Sequence, residues 1–111
     1  MICKLANIED VKDNTWYEYS LQTTDGLTSV MVIKKQEKYC GFKNECPHQG
    51  RRMDYAAGKF LIGETGNIIC PAHGAEFNPD DGLCINGPCL GQSLISVYIQ
   101  SNEESIFTVI E

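Results

Sequence analysis

Two histidines are all that this chain of 111 residues contains, and basic residues are scarce too: nine Lys and Arg against fifteen Asp and Glu, a net charge of −6. The shortage of positive charge speaks against nucleic acid, which asks for a basic surface. It suits an acidic carrier steered towards a more basic partner, and it equally suits a small protein kept soluble by its charge. No apolar run approaches the roughly eighteen residues of a membrane span. Met1-Ile2-Cys3-Lys4-Leu5 shows no basic stretch followed by an apolar one, so no secretory signal is visible and a soluble, cytoplasmic protein is expected. Repeats and low-complexity segments are absent as well.

What is present centres on those histidines. They stand in Cys46-Pro47-His48 and Cys70-Pro71-Ala72-His73, two Cys/His pairs twenty-one residues apart. Each pair offers a soft thiolate and a borderline imidazole from one tight loop. Two sulfur and two nitrogen ligands suit either one tetrahedral zinc or a [2Fe–2S] cluster with Cys on one iron and His on the other. A structural zinc site usually pairs cysteine with cysteine at C-x₂₋₄-C and places its histidines in a second arm. Here each arm supplies one residue of each type, and C-x-H falls short of the usual gap. Two irons fit that mixture better, with zinc as the alternative.

The pattern C-x-H…C-x-x-H-G resembles the signature of the Rieske family, matched by Cys46, His48, Cys70, His73 and Gly74. Gly87-Pro88 resembles the family's proline loop, a rigid turn that covers the cluster. Gly50 and Gly74 resemble its loop glycines, which free backbone N–H groups to point at sulfur. From Cys46 to about Leu90 the chain is similar to small stand-alone Rieske-type ferredoxins, including their Gly-Pro-Cys turn. The resemblance implies one [2Fe–2S] cluster, with Cys46 and Cys70 on the inner iron and His48 and His73 on the outer one. It implies a carrier of single electrons between a reductase and an acceptor such as an oxygenase, with protein redox partners and no small-molecule substrate, nucleic acid or membrane. An electron carrier is expected, not an enzyme: both histidines are committed, so no 2-His-1-carboxylate iron site remains.

High-potential members of the family join their ligand loops by a disulfide and place Ser and Tyr hydroxyls after the second histidine. The corresponding positions are Arg51 and Ala72, and Ala75 and Phe77. Fewer donors to the sulfur atoms lower the potential, so the lower part of the range is expected, nearer about −150 mV than +300 mV. Two further readings remain open: a redox-sensing or accessory subunit of an oxidoreductase, and a structural Cys2His2 zinc module.

Composition and periodicity favour an all-β chain. Expected elements are a short strand from Ile2, a turn with a capped helical end over Asn7–Val11, and an alternating strand from Trp16 to Leu21. Asp25-Gly26 then turns into Ser29–Ile33, a central strand, with which Tyr39–Phe42 pairs. Phe60–Ile62, Ile68–Cys70 and Ala75–Phe77 read as short strands, Asp80-Asp81-Gly82 as a turn, and Leu94–Gln100 and Ser105–Ile110 as closing strands. The expected architecture is a single Rieske-type domain over 1–111. An antiparallel β-sandwich base (about 1–40 and 91–111) carries an inserted cluster-binding subdomain (about 41–90). Of the other cysteines, Cys3 and Cys40 read as small core hydrophobes. Cys84 and Cys89 flank the Gly-Pro turn, where they either pack against the ligand loops or, less in keeping with a reducing cytosol, form a disulfide. Arg51-Arg52 reads either as a basic pair beside the cluster or as a solvated loop.

Overall fold

Val30, Met31, Val32 and Ile33 are all buried. Successive side chains of a strand point to opposite faces, so protein must cover this one on both sides. The computed structural model, which describes residues 2–48 and 50–109, shows how. In chain order come β1 (Ile2–Asn7), a 3-10 turn (Ile8–Asp10), β2 (Trp16–Thr23), β3 (Gly26–Lys35) and β4 (Lys38–Lys43). There follow β5 (Asp54–Ala56), β6 (Lys59–Ile62), β7 (Ile68–Ile69), β8 (Glu76–Phe77) and β9 (Cys84–Asn86). The chain closes with β10 (Ser96–Val97), β11 (Ile99–Ser101) and β12 (Ser105–Val109). Three antiparallel sheets result, ordered β1-β12-β11, β10-β4-β3-β2 and β5-β6-β7-β8-β9.

The sheet containing β3 lies between two cores. On one face Leu21, Val30 and Val32 pack with Ile99 and Ile106 of the three-stranded sheet. On the other, Trp16, Met31, Ile33 and Phe42 pack with Met53, Ile68, Phe77 and four cysteines. Burying one such side chain fully stabilises by about 1.5–3 kcal/mol, so neither face is dispensable. The alternation expected along β2 is present: Tyr17, Tyr19 and Leu21 join the first core, and Trp16 joins the second.

Three expectations are corrected. Leu94–Gln100 is not one strand. β10 pairs with β4, whereas β11 pairs with β12, and the chain changes sheets at exposed Tyr98, whose carbonyl accepts a hydrogen bond from Thr108 Oγ1 at 2.7 Å. The turn at Ile8–Asp10 has no side-chain cap; Asn7 is extended, and the Val11 N–H closes it on the Ile8 carbonyl. Cys3 and Cys40 lie half-buried at the margins of the two cores, not inside them. Strands β5 and β9 were not legible beforehand, each being three residues long. Ile110 lies outside the described residues.

Candidate metal centre

The two Cys/His loops are closed by the same pair of main-chain hydrogen bonds. In the first, the Cys46 N–H donates to the Arg51 carbonyl at 2.7 Å and the Gly50 N–H donates to the Cys46 carbonyl at 2.7 Å. In the second, the Cys70 N–H donates to the Ala75 carbonyl at 2.7 Å and the Gly74 N–H donates to the Cys70 carbonyl at 2.9 Å. The chain leaves each turn through a left-handed glycine, Gly50 with φ +68° and Gly74 with φ +76°, a conformation glycine adopts without strain. Their own N–H groups bind the cysteine carbonyl oxygens. It is the His48 N–H that reaches the Cys46 sulfur.

Each turn buries its first residue and exposes its histidine. Cys46 and Cys70 are both 2% exposed, while His48 and His73 are exposed. Histidine is the third residue of one turn and the fourth of the other, and the two rings meet edge to face with centroids 5.1 Å apart at 87°. The Cys46 and Cys70 sulfurs are near enough to interact. Burial pushes the Cys46 thiol up, the His48 N–H pulls it back, and Cys70 pushes it up further. A metal must displace that proton to bind. Among the described residues no three His, Cys, Asp or Glu side chains converge closely enough for a single metal ion. Two buried sulfurs backing two exposed imidazoles fit a group with two metals, one taking each kind of ligand.

The proline loop lies on the second turn. Gly87 has φ +101°, and a Cβ there would stand 2.8 Å from the Ala75 Cα, so only glycine lets the backbones approach this closely. Pro88 is exposed beside it. Cys84 and Cys89 are buried free thiols in the same core as Cys46 and Cys70. The Cys89 Sγ donates to the Cys84 Sγ at 3.3 Å, and the Cys84 Sγ donates to the Asn86 carbonyl at 3.2 Å. Burial, with Cys84 next, pushes the Cys89 thiol up to about 12. Ala75 and Phe77 are fully buried and bring no hydroxyl to this region.

Sequence reasoning missed the group that anchors the first turn. Buried Asn44, two residues before Cys46, accepts from the Met53 N–H at 2.6 Å and donates to Ser29 Oγ at 3.1 Å and Asp54 Oδ1 at 3.0 Å. Arg52 grips Asp54 with two hydrogen bonds of 2.8 Å and lies 3.6 Å from Glu18. Glu18 in turn accepts from Ser29 Oγ at 2.6 Å. The Arg52 guanidinium holds the Asp54 carboxyl down at about 2, despite burial. Arg52 is an exposed loop residue that nevertheless ties the turn to β5 through Asp54 and to β2 through Glu18. Nothing periodic marks this network, because its members are brought together only by the fold.

The sequence matches the Rieske [2Fe-2S] domain family over residues 2–102. No curated protein matches the chain significantly. Among solved structures, the ferredoxin of carbazole 1,9a-dioxygenase from Nocardioides aromaticivorans IC177 superposes with a TM-score of 0.74 at 17% identity, covering 100% of this chain and 99% of that one. The terminal oxygenase of carbazole 1,9a-dioxygenase from Novosphingobium sp. KA1 gives a TM-score of 0.79 at 15% identity, over 98% of this chain and 29% of that one. A chain of the reduced complex between oxygenase and ferredoxin in carbazole 1,9a-dioxygenase gives 0.77 at 16%, over 98% and 28%.

Proposed function

The chain belongs to the Rieske [2Fe-2S] domain family, and from that premise we propose that it is a soluble, low-potential ferredoxin passing single electrons from a reductase to an acceptor such as an oxygenase. Cys46 and Cys70 would hold the inner iron and His48 and His73 the outer one. When bound, such a cluster takes up and returns one electron at a time. The residues do the rest. Buried Cys46 and Cys70 keep water from the sulfurs, and the exposed imidazoles of His48 and His73 offer a short path to a docked protein. Gly87 and Pro88 form a stiff cover beside the second turn.

The observation that carries this reading is the pair of identically closed turns, each burying a cysteine and exposing a histidine. The superposition on the ferredoxin of carbazole 1,9a-dioxygenase, over 99% of that chain, supports the carrier reading. In this reading the five-stranded sheet and its loops are the cluster-binding part, inserted into a two-sheet base. Its working place is the cytoplasm, which keeps Cys84 and Cys89 reduced. The decisive experiment is anaerobic purification followed by reduction. A red-brown protein with a rhombic EPR signal that reduces a partner oxygenase is expected; a colourless protein with stoichiometric zinc sinks the proposal.

A further inference from the structure

We propose that the cleft around Lys43, between the sheet of β3 and the sheet of β12, binds a small carboxylic acid with an apolar body. It opens on the face of β3 away from the candidate ligands, and the inference does not rest on the electron-carrying reading.

The cleft has a volume of about 350 Å³, at the small end of what ligand sites offer. Cross-strand pairing sets Thr28 opposite Leu21 and Lys43 opposite Val30, so all four share one face of the sheet. That face carries the core of Ile99 and Ile106, whereas Met31 and Phe42 on the other face pack with Cys46 and Cys70. Leu21, Val30 and Val97 line the cleft with apolar surface. Buried Thr108 lines it too, but its hydroxyl is already spent on the Tyr98 carbonyl. Two donors are left over. The Thr28 hydroxyl and the Lys43 ammonium make no hydrogen bond or ion pair with any described residue.

Lys43 is the exception among the lysines. Three of them are half-buried. Lys34 lies 3.8 Å from Asp13 and Lys35 3.3 Å from Asp80, while Lys43 has no carboxylate at ion-pair distance among the described residues. With fifteen acidic residues against nine basic ones, acid is not in short supply. Partial burial strips water from an ammonium, and a bound carboxylate restores the lost contacts as charge-assisted hydrogen bonds. Exposed Asp25 lines the same cleft and also lacks a cation, so a doubly charged anion is repelled where a single carboxylate is accepted. The apolar lining then calls for an aromatic or aliphatic body behind that carboxylate.

Methyl NMR of the protein as purified, titrated with benzoate, tests this. The methyl signals of Leu21, Val30 and Val97 should shift and saturate. Benzyl alcohol, which keeps the ring and loses the charge, should bind about fivefold more weakly or worse, and so should inorganic phosphate, which keeps charge and loses the ring. Lys43→Met should weaken benzoate by about fivefold or more, with the remaining methyl spectrum that of the wild type. Shifts that never saturate overturn the inference, as does benzyl alcohol or phosphate binding as tightly as benzoate. Lys43→Met binding benzoate like the wild type overturns it equally, because the carboxylate then has another partner. Should Lys43→Met fail to fold, the comparison of the three probes on the wild type decides alone.

Discussion

The imidazole of His48 stands edge-on to that of His73, their centres 5.1 Å apart, although one follows its cysteine by two residues and the other by three. Both rings are exposed and stand together at one point of the surface. His48→Ala and His73→Ala are therefore expected to act alike. Each should lose visible absorption and the rhombic signal, while far-ultraviolet circular dichroism stays that of a β protein. Retention of full colour in either variant would remove that histidine from the ligand set.

The midpoint potential is expected in the lower part of the family's range, nearer about −150 mV than +300 mV, for want of hydroxyl donors at Ala75 and Phe77. Ala75→Ser adds one such donor beside the second turn and should move the potential upward. A wild-type midpoint above zero contradicts the reading.

Gly87→Ala meets two obstacles at once, a left-handed φ of +101° and the Ala75 backbone at 2.8 Å. The proline loop must lift, at a cost of about 1–3 kcal/mol. Bleaching of the holoprotein by an iron chelator should become faster in this variant, and equal rates would show that the loop does not cover the site.

Asn44→Ala breaks hydrogen bonds to Met53, Ser29 and Asp54 in a buried setting. A loss of about 2–4 kcal/mol in unfolding free energy is expected, larger than for a surface substitution. Urea unfolding of the two proteins side by side measures it.

Acid should weaken the same anchor. Arg52 above all holds the Asp54 carboxyl at about 2 instead of its ordinary 3.8. A depressed carboxyl contributes stability that is complete above its unfolded value and disappears as pH falls through the folded one. The contribution is about 2 kcal/mol, present at neutral pH and lost between about pH 4 and pH 2. Unfolding followed across that window should show the slope in the wild type and a shallower one in Asp54→Asn.

The candidate ligands were legible because a turn of this kind is local: Cys46, His48 and Gly50 lie within five residues, and the same holds for Cys70, His73 and Gly74. Most strands were legible too, since alternation in β2 and the apolar run in β3 report which faces are covered. The break at Tyr98 was not, because pairing with β4 on one side and β12 on the other is decided by partners more than forty positions away or on the returning strand. Arg52 was ambiguous for the same reason. Its meaning depends on Glu18, which sequence distance hides.

Because neighbouring residues of β3 serve different cores, the half that carries the candidate ligands is not a portable cassette. Residues 44–95 excised as a peptide would leave behind Trp16, Met31, Ile33 and Phe42, the wall on which Met53, Ile68 and Phe77 rest. Transplanting this centre into another scaffold means carrying β2, β3 and β4 with it.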